Sequence, residues 1–334
     1  MGGFRFLLLF ICIITSVSVF SQEKDIPRNG EGIQTFLLRN KRPPQKYTNE
    51  FIRLNKDKLG KNNALILNVS YILPPLDVAS VSNTKKLNSK HKEPLFGKGQ
   101  EEYTIKSLAL QGACYFLVSG HGGADPGAIA KVDGKELHED EYAYDIMLRL
   151  AKNLMENGAT VHIIIQDARD GIRDGKYLSN SKSETCMGDP IPLNQTARLR
   201  QRSNRVNQLS AKATEKYQRA IFIHLDSRGH KNQVDVYFYH KERNITGKQF
   251  ADNVRNTFES QYKRHQPGRG FTGTVSARNL YVLNATQPVS IFAELGNMQH
   301  PFDQRRYVQE DNRQALANWL LRGFIKDYED LKKK

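Results

Sequence analysis

From about Tyr103 to the C-terminus, short apolar runs typical of buried strands alternate with longer segments whose apolar residues recur at helical spacing. One such segment places Tyr142, Ile146, Leu150 and Leu154 four residues apart, on one face of a helix. The apolar runs predict strands at 115–118, 160–165, 220–224, 234–239, 280–283 and 289–293. The helical spacing predicts helices at 141–156, 197–213, 247–263 and 309–328. This alternation predicts an α/β fold with helices packed on a central sheet.

A smaller apolar unit precedes this region, and a polar stretch separates the two. Residues 28–75 contain apolar runs around Phe36 and Tyr71, which is enough for a small compact domain. Residues 76–105 are rich in lysine and lack a helical or strand period, which is typical of a solvated linker. The larger domain is then expected to cover residues 106–334.

The first residues of the chain have the organisation of an export signal. Residues 1–21 carry one charge, Arg5, then an apolar run over 6–14 and a small, polar end at 19–21. An uncleaved membrane anchor is the alternative, but the run is short for a span of about 20 residues. We therefore predict a signal peptide at 1–21 and an exported protein of the periplasm, cell envelope or extracellular space, with no stable membrane insertion after cleavage.

Charge and cysteine content narrow the class of partner. The 334 residues carry a formal net charge of +15, which favours nucleic acid, a membrane surface or an anionic cell-wall polymer. Export makes nucleic acid an unsuitable partner and permits a disulfide between Cys114 and Cys186, the two cysteines that remain after cleavage. Two isolated cysteines do not form a zinc site of the CxxC kind.

Four places bring chemically capable side chains to strand ends or to the start of a helix. They are His121 in a glycine-rich turn, the acidic stretch 138–141, His224 at the end of an apolar strand, and Glu294 at the end of another. A carboxylate at the end of an apolar strand is costly unless it is paired or coordinating. Two histidines and one carboxylate form a catalytic zinc site with an open position, and a second carboxylate is the usual general base.

The same places lie within motifs that occur in a fixed order. These are GHGGADPGA at 120–128, an acidic residue before the helical pattern YDIMLRLA at 144–151, an L-x-x-R-x-x-x-V-N pattern at 199–207, Ile223-His224, a pattern with Arg278, Leu280, Val282 and Leu283, and Glu294 with Gly296. In these motifs, residues 110–330 resemble the zinc-dependent N-acetylmuramoyl-L-alanine amidases of the amidase-3 family. The resemblance implies a mixed central sheet flanked by helices.

The resemblance also implies roles for individual residues. His121, Glu139 and His224 would hold Zn²⁺, and Glu294 would be the catalytic carboxylate; Glu136 and Glu141 are alternative ligands in place of Glu139. The implied reaction is hydrolysis of the amide bond between N-acetylmuramic acid and the L-alanine of the stem peptide in peptidoglycan. A catalytically inactive peptidoglycan-binding protein and a zinc peptidase acting on stem peptides are the alternatives, and a need for a protein activator stays open.

Two further segments bear on this function. Residues 28–75 resemble a LysM module, the βααβ unit that binds glycans containing N-acetylglucosamine, at Gly32-Ile33, Leu54-Asn55 and residues 71–74. A docking domain without glycan binding is the alternative. Residues 175–196 look like an insertion relative to the amidase-3 family, near the expected substrate groove. This insertion is either a surface loop or a segment that shapes or covers the active site.

Overall fold

The computed structural model describes residues 23–75, 86–227 and 233–333, and the chain divides into two compact units, 1–84 and 85–334. The predicted signal peptide at 1–21 lies outside the described residues. Within the described part of the chain, no helix combines the length and the apolar character needed to cross a membrane.

The N-terminal unit contains two short strands and two helices. They are β1 (Lys24–Asp25), α1 (Ile33–Arg39), α2 (Pro44–Leu54) and β2 (Tyr71–Ile72). The strands pair in antiparallel fashion, and the rings of Phe36, Phe51 and Tyr71 pack against one another in the core. The Asn55 side chain donates to the carbonyl of Ile72 and accepts from its N–H, which fixes the end of α2 against β2.

The larger unit contains the remaining strands and helices. Its strands are β3 (Lys90–Lys92), β4 (Glu102–Thr104), β5 (Ala113–Ser119), β6 (Ile129–Val132), β7 (Lys135–His138), β8 (Thr160–Ile163), β9 (Ile165–Gln166), β10 (Thr185–Cys186), β11 (Asp189–Pro190), β12 (Tyr217–Asp226), β13 (Tyr237–His240), β14 (Thr274–Ala277) and β15 (Val289–Asn297). Its helices are α3 (Glu139–Glu156), α4 (Gln195–Ser210), α5 (Ile245–His265), α6 (Tyr281–Ala285), α7 (Pro301–Val308) and α8 (Glu310–Lys332).

A six-stranded mixed sheet forms the centre of this unit, in the order β14-β13-β15-β12-β5-β8. Strands β15, β12, β5 and β8 are parallel, whereas β13 runs antiparallel to β15. Both faces are covered, and β5 is therefore apolar almost throughout, as is the run Ala220–Ile223 in the middle of β12. Helices α3, α5 and α8 cover one face, and α4 and α6 cover the other. The predicted α/β fold with a mixed central sheet is confirmed.

Two segments differ from the sequence-based expectations. Residues 280–283 form the start of helix α6 rather than a strand, because a run of four apolar residues fits either element. Residues 86–105, expected to be part of a solvated linker, form the β3–β4 hairpin, and Phe96 between its strands is fully buried in the main core. The Lys152 ammonium donates to the carbonyl of Gln100 and ties this segment to α3.

The four parallel strands place their carboxyl ends at one edge of the sheet. In open α/β sheets, ligands bind outside this edge. Strand β5 ends immediately before His121, His224 lies near the end of β12, and Glu294 lies near the end of β15. The β6–β7 hairpin leads directly into α3, and the first turn of α3 lies at the same edge of the sheet.

Candidate metal centre

His121 follows β5 in a tight glycine-rich turn. Its backbone has a φ of 54°, in the left-handed region that non-glycine residues rarely adopt. Such strain is maintained only where the surroundings fix the residue. Here Asp125 accepts a hydrogen bond from the imidazole Nδ1 at 2.7 Å and pairs with the Arg198 guanidinium. The Arg202 guanidinium donates hydrogen bonds to the carbonyl of His121 and, at 3.1 Å, to the carbonyl of Ser119. These two hydrogen bonds fix the backbone of the turn.

Glu139 is the first residue of α3 and lies between the two histidines. One carboxylate oxygen is 3.2 Å from Nε2 of His121, and the other is 3.0 Å from Nδ1 of His224. The same oxygens accept the backbone N–H groups of Ala128 at 2.9 Å and Leu225 at 3.0 Å, which fixes the direction of the carboxylate. One atom from each of the three side chains lies within 4.8 Å of the other two.

Two glycines leave room for this arrangement. A Cβ atom at Gly120 would lie 2.4 Å from the His224 ring, and one at Gly127 would lie 2.6 Å from the His121 ring and 2.7 Å from a Glu139 carboxylate oxygen. Contacts this short do not occur, so any side chain at either position would displace a member of the group. The φ of 70° at Gly127 adds a second reason for glycine there.

Charge within the group favours a bound cation. Burial lowers the pKa of His121, but the hydrogen bonds to Asp125 and Glu139 outweigh it and raise that pKa to about 9. Burial would raise the pKa of Glu139, yet the two imidazoles outweigh it and hold that pKa well below its usual range. Burial lowers the pKa of His224. The ionised Glu139 carboxylate and two imidazole nitrogens are a donor set that suits zinc.

Glu294 occupies the neighbouring position on the adjacent strand. It pairs with His224 in the parallel register of β15 and β12, so the two side chains lie on the same face of the sheet. Two residues earlier, the Phe292 ring stacks on the His224 imidazole with centroids 4.3 Å apart. Within the described residues, Glu294 is not part of the group of mutually close ligand atoms. Glu294 therefore lies on the same face of the sheet as His224 but outside the three-residue group.

The structure separates the two alternative ligands from this centre. Glu136 is on the β6–β7 hairpin, is about half exposed, and lies near Lys131 and His138. Glu141 is buried and forms an ion pair with Arg173 at 2.9 Å, within a second acidic group. Only Glu139 lies with both histidines in the described part of the chain.

Sequence reasoning missed the residues that support the centre. Asp125 stands in the motif at 120–128, and Arg202 in the pattern at 199–207, without an assigned role. Both orient the turn that carries His121. Arg202 is only 2% exposed, and this burial indicates its structural role. The sequence pattern of the helix does not show which of its arginines is buried.

A second acidic group lies beside the first turn of α3. Asp140, Glu141 and Glu184 are all buried, and their carboxylates lie within 4.8 Å of one another. Burial, with the charges of Glu141 and Glu184, raises the pKa of Asp140 to about 8. Glu184 belongs to the predicted insertion at 175–196 and accepts the backbone N–H of Gly123 at 2.8 Å. The insertion therefore packs on the turn that carries His121.

The two cysteines lie in the same apolar cluster but remain free thiols. Cys114 on β5 and Cys186 on β10 are both fully buried. Burial raises the pKa of the Cys114 thiol to about 12 and also raises that of Cys186. The structure holds both as inert core residues rather than as a disulfide.

Comparison with known proteins finds similar chains among N-acetylmuramoyl-L-alanine amidases. The germination-specific N-acetylmuramoyl-L-alanine amidase of Bacillus subtilis (strain 168) is 25% identical over 226 residues, which is 66% of this chain and 81% of that protein. The N-acetylmuramoyl-L-alanine amidase from Clostridium difficile 630 aligns with a TM-score of 0.47 and 19% identity, over 65% of this chain and 97% of that one. The amidase Ami1 from Mycobacterium smegmatis aligns with a TM-score of 0.48 and 18% identity, over 66% of this chain and 99% of that one.

The family match covers the central sheet, apart from the first residues of β5, and the three-residue centre. Residues 116–326 match the Amidase_3 family, described as N-acetylmuramoyl-L-alanine amidase. This range begins within β5 and ends within α8, and it contains His121, Glu139, His224 and Glu294. The chain therefore belongs to the Amidase_3 family of N-acetylmuramoyl-L-alanine amidases.

Proposed function

We propose that this protein is a zinc-dependent peptidoglycan hydrolase that cleaves the amide bond between N-acetylmuramic acid and the L-alanine of the stem peptide. The observation that carries the proposal is the contact of Glu139 with both His121 and His224 at the carboxyl edge of the sheet. Family membership supports the choice of reaction, and the donor set of two imidazoles and one carboxylate supports the choice of metal.

In this proposal, the residues divide into ligands, supports and a base. Zinc held by His121, Glu139 and His224 would supply Lewis-acid chemistry, acidifying water and polarising a carbonyl. Glu294 takes a proton from the attacking water and passes it to the alanine nitrogen as the carbon–nitrogen bond breaks. Asp125 holds the His121 ring, so that Nε2 faces Glu139. The products are a free carboxyl group on the lactyl arm of the sugar and a free alanine amine.

The N-terminal unit would hold the enzyme on its substrate. We assign residues 28–75 as a LysM-like module for glycan strands. The motifs that resemble that family support this role, and so does the β–α–α–β order of β1, α1, α2 and β2, although β1 lies at Lys24–Asp25, just before this range. An exported location, either periplasm or cell envelope, follows from the segment 1–21 and is consistent with a polymer substrate outside the cytoplasm. The net charge of +15 would favour approach to an anionic wall.

The products of digestion test the reaction directly. Purified sacculi are incubated with the enzyme and the soluble products are analysed by mass spectrometry. Intact stem peptides with a free alanine amine, separated from glycan strands without peptides, are the expected result. Shortened stem peptides would instead indicate a zinc peptidase, and binding without any released product would indicate an inactive wall-binding protein.

A further inference from the structure

The second acidic group, formed by Asp140, Glu141 and Glu184, is separate from the proposed zinc ligands. The three residues are 2%, 1% and 5% exposed, so their carboxylates are withdrawn from water. One oxygen from each lies within 4.8 Å of the other two. Burying a carboxylate is costly unless it is paired, hydrogen-bonded or coordinating, and here three share one pocket of the core.

The hydrogen bonds of this group leave one oxygen without a donor. Glu141 accepts from Arg173 and from the backbone of Ser181, and Glu184 accepts from Gly123 and from the Ser181 hydroxyl. Asp140 Oδ1 accepts only the N–H of the next residue, at 2.9 Å. Its Oδ2 is buried and has no hydrogen-bond partner among residues 23–75, 86–227 and 233–333. An unsatisfied carboxylate oxygen in a protein core needs an explanation, and an ion that coordinates it is one.

The balance of charge also calls for a cation. Arg173 is the one cation within ion-pair distance of the three carboxylates in the described part of the chain, at 2.9 Å from Glu141. Arg202 acts on Asp140 only through longer-range attraction, because its guanidinium donates to the carbonyls of Ser119 and His121. The carboxylates of Asp140 and Glu184 therefore have no positively charged side chain within ion-pair distance among the described residues.

The chemistry of the donors selects the kind of ion. Every candidate ligand is an oxygen, and the Ser181 hydroxyl lies 3.0 Å from Glu184 as a further oxygen donor. Calcium takes six to eight oxygen ligands at about 2.3–2.6 Å in flexible geometry, so ligand oxygens on opposite sides of the ion are about 5 Å apart. Zinc prefers nitrogen and sulfur donors, which the neighbouring histidine pair supplies.

We propose that Asp140, Glu141 and Glu184 form a calcium site that joins the first turn of α3 to the insertion at 175–196. Glu139, the residue before Asp140, contacts both histidines of the metal centre, and Glu184 holds the turn that carries His121. Bound calcium fixes both elements next to that centre. The site is distinct from the zinc ligands and does not depend on the identity of the reaction.

Calcium binding to the full-length protein tests this proposal. The protein is stripped of metal, reloaded with one equivalent of zinc, and titrated with CaCl₂ by calorimetry and by thermal unfolding. We expect one calcium per chain and a rise in Tm of about 5 °C or more at saturation, because a ligand that binds only the folded state stabilises it. No binding and no shift in Tm would overturn the proposal, and a larger response to MgCl₂ than to CaCl₂ would overturn the choice of calcium.

Neutral variants distinguish a cation site from a merely structural cluster. Asp140→Asn and Glu184→Gln keep size and shape, and each should lower calcium affinity by at least tenfold. Without calcium, Asp140→Asn should be at least as stable as the parent protein, because the amide keeps the acceptor for the Glu141 N–H and carries no charge that could repel Glu141 and Glu184. The exposed Asp133→Asn is the matched control and should keep the full calcium response. An unchanged response in both core variants contradicts the assignment.

One more variant separates this site from the proposed zinc site. His224→Ala removes a zinc ligand but touches none of the three acidic residues, so its calcium-dependent rise in Tm should persist. Loss of that rise in His224→Ala, with zinc absent from both samples, would place calcium at the histidine centre and refute the proposal.

Discussion

The Nδ1 atom of His224 lies 3.0 Å from a carboxylate oxygen of Glu139, although the two residues are 85 positions apart in the chain. His224 lies on strand β12 and Glu139 in the first turn of α3, so this contact links the central sheet to a helix that packs on it. The other oxygen of the same carboxylate faces His121. A single side chain thus fixes the separation of two imidazoles before any metal binds, and the first prediction depends on this arrangement.

Activity should require a metal. A strong chelator is expected to abolish hydrolysis of peptidoglycan, and zinc at one equivalent should restore it, because two imidazoles and a carboxylate provide the ligands of a catalytic zinc site. Release of soluble products from sacculi measures the activity, and elemental analysis measures zinc. Full activity in a preparation shown to be free of metal would rule out the zinc assignment.

Glu294→Gln should separate the base from the ligands. The amide keeps the shape of the side chain but lacks basicity, so the variant should bind about one zinc per chain and lose roughly 10²–10⁴-fold in turnover. His121→Ala and His224→Ala should instead lose the metal, since three protein ligands are the usual set for catalytic zinc. Near-normal turnover in Glu294→Gln contradicts its role as base, and loss of zinc in that variant makes Glu294 a ligand.

Asp125→Asn should weaken zinc binding without removing a ligand. Asp125 holds Nδ1 of His121 at 2.7 Å and pairs with Arg198, so its charge both orients the ring and increases its basicity. We expect zinc affinity to fall by about 10–100-fold, with turnover largely recovered at saturating zinc. Competition with a chromogenic chelator measures the affinity. Asp133→Asn is the control, and equal affinities for the two variants would show that Asp125 has no positioning role.

Deleting residues 22–84 should impair binding to the wall but not the chemistry. The deletion ends before the β3–β4 hairpin, whose Phe96 belongs to the main core, and therefore leaves the larger unit intact. Sacculus pull-down should weaken, whereas hydrolysis of soluble muropeptides should stay within about twofold of the full-length rate. Unchanged pull-down would exclude glycan binding by the N-terminal unit.

Asp235 should stabilise the fold in a manner that depends on pH. Burial would raise its pKa, but the backbone N–H of Thr272 and the guanidinium groups of Arg306 and Arg269 outweigh it and lower that pKa. A carboxyl with a lowered pKa stabilises the folded state above the pKa it has when unfolded, about 3.9, and this contribution is lost as the pH falls through the folded value. Asp235→Asn should therefore cost about 3 kcal/mol at pH 7, because the buried Arg306 and the partly buried Arg269 lose the carboxylate that both contact.

Urea unfolding at pH 7, 4 and 3 measures this effect. The difference in free energy of unfolding between the parent and Asp235→Asn should stay constant from pH 7 to about 4 and shrink at pH 3. The exposed pair of Asp133 with Lys176 is the matched control, and Asp133→Asn should leave the free energy of unfolding nearly unchanged at each pH. A difference that does not change with pH would show that the Asp235 charge is not the source of the effect.

The sequence predicts the central strands well, for a physical reason. Strands β5, β12 and β15 are buried on both faces, so their sequences are nearly continuous apolar runs that end at polar residues. The ends of these runs mark His121, His224 and Glu294. The four long helices α3, α4, α5 and α8 are also predicted to within a few residues, since helices such as α3 and α5 present an apolar face to the sheet.

Features that depend on contacts distant in sequence are harder to predict. Residues 280–283 look like a strand, because nothing in four apolar residues shows that they pack as a short helix against α4. Residues 86–105 resemble a solvated linker because they are rich in lysine. Their attachment to the main core depends on one aromatic residue, Phe96, which gives no periodic signal in the sequence. The acidic group at Asp140 could not be anticipated, since Glu184 reaches it from an insertion whose course the sequence does not show.

The close packing of Gly97 against Gly171 has a consequence for exchanging modules between wall hydrolases. A Cβ atom at Gly171 would lie 2.4 Å from the Cα of Gly97, so the hairpin segment and the loop after β9 fit together only as a pair of glycines. A chimera could join a foreign targeting domain at residue 116, where the family match begins. Such a chimera would lack the segment that carries Phe96, and the apolar core surface that Phe96 covers would become exposed to solvent. The transplantable catalytic unit begins some thirty residues earlier, near Lys86, and a fusion made there should keep its solubility.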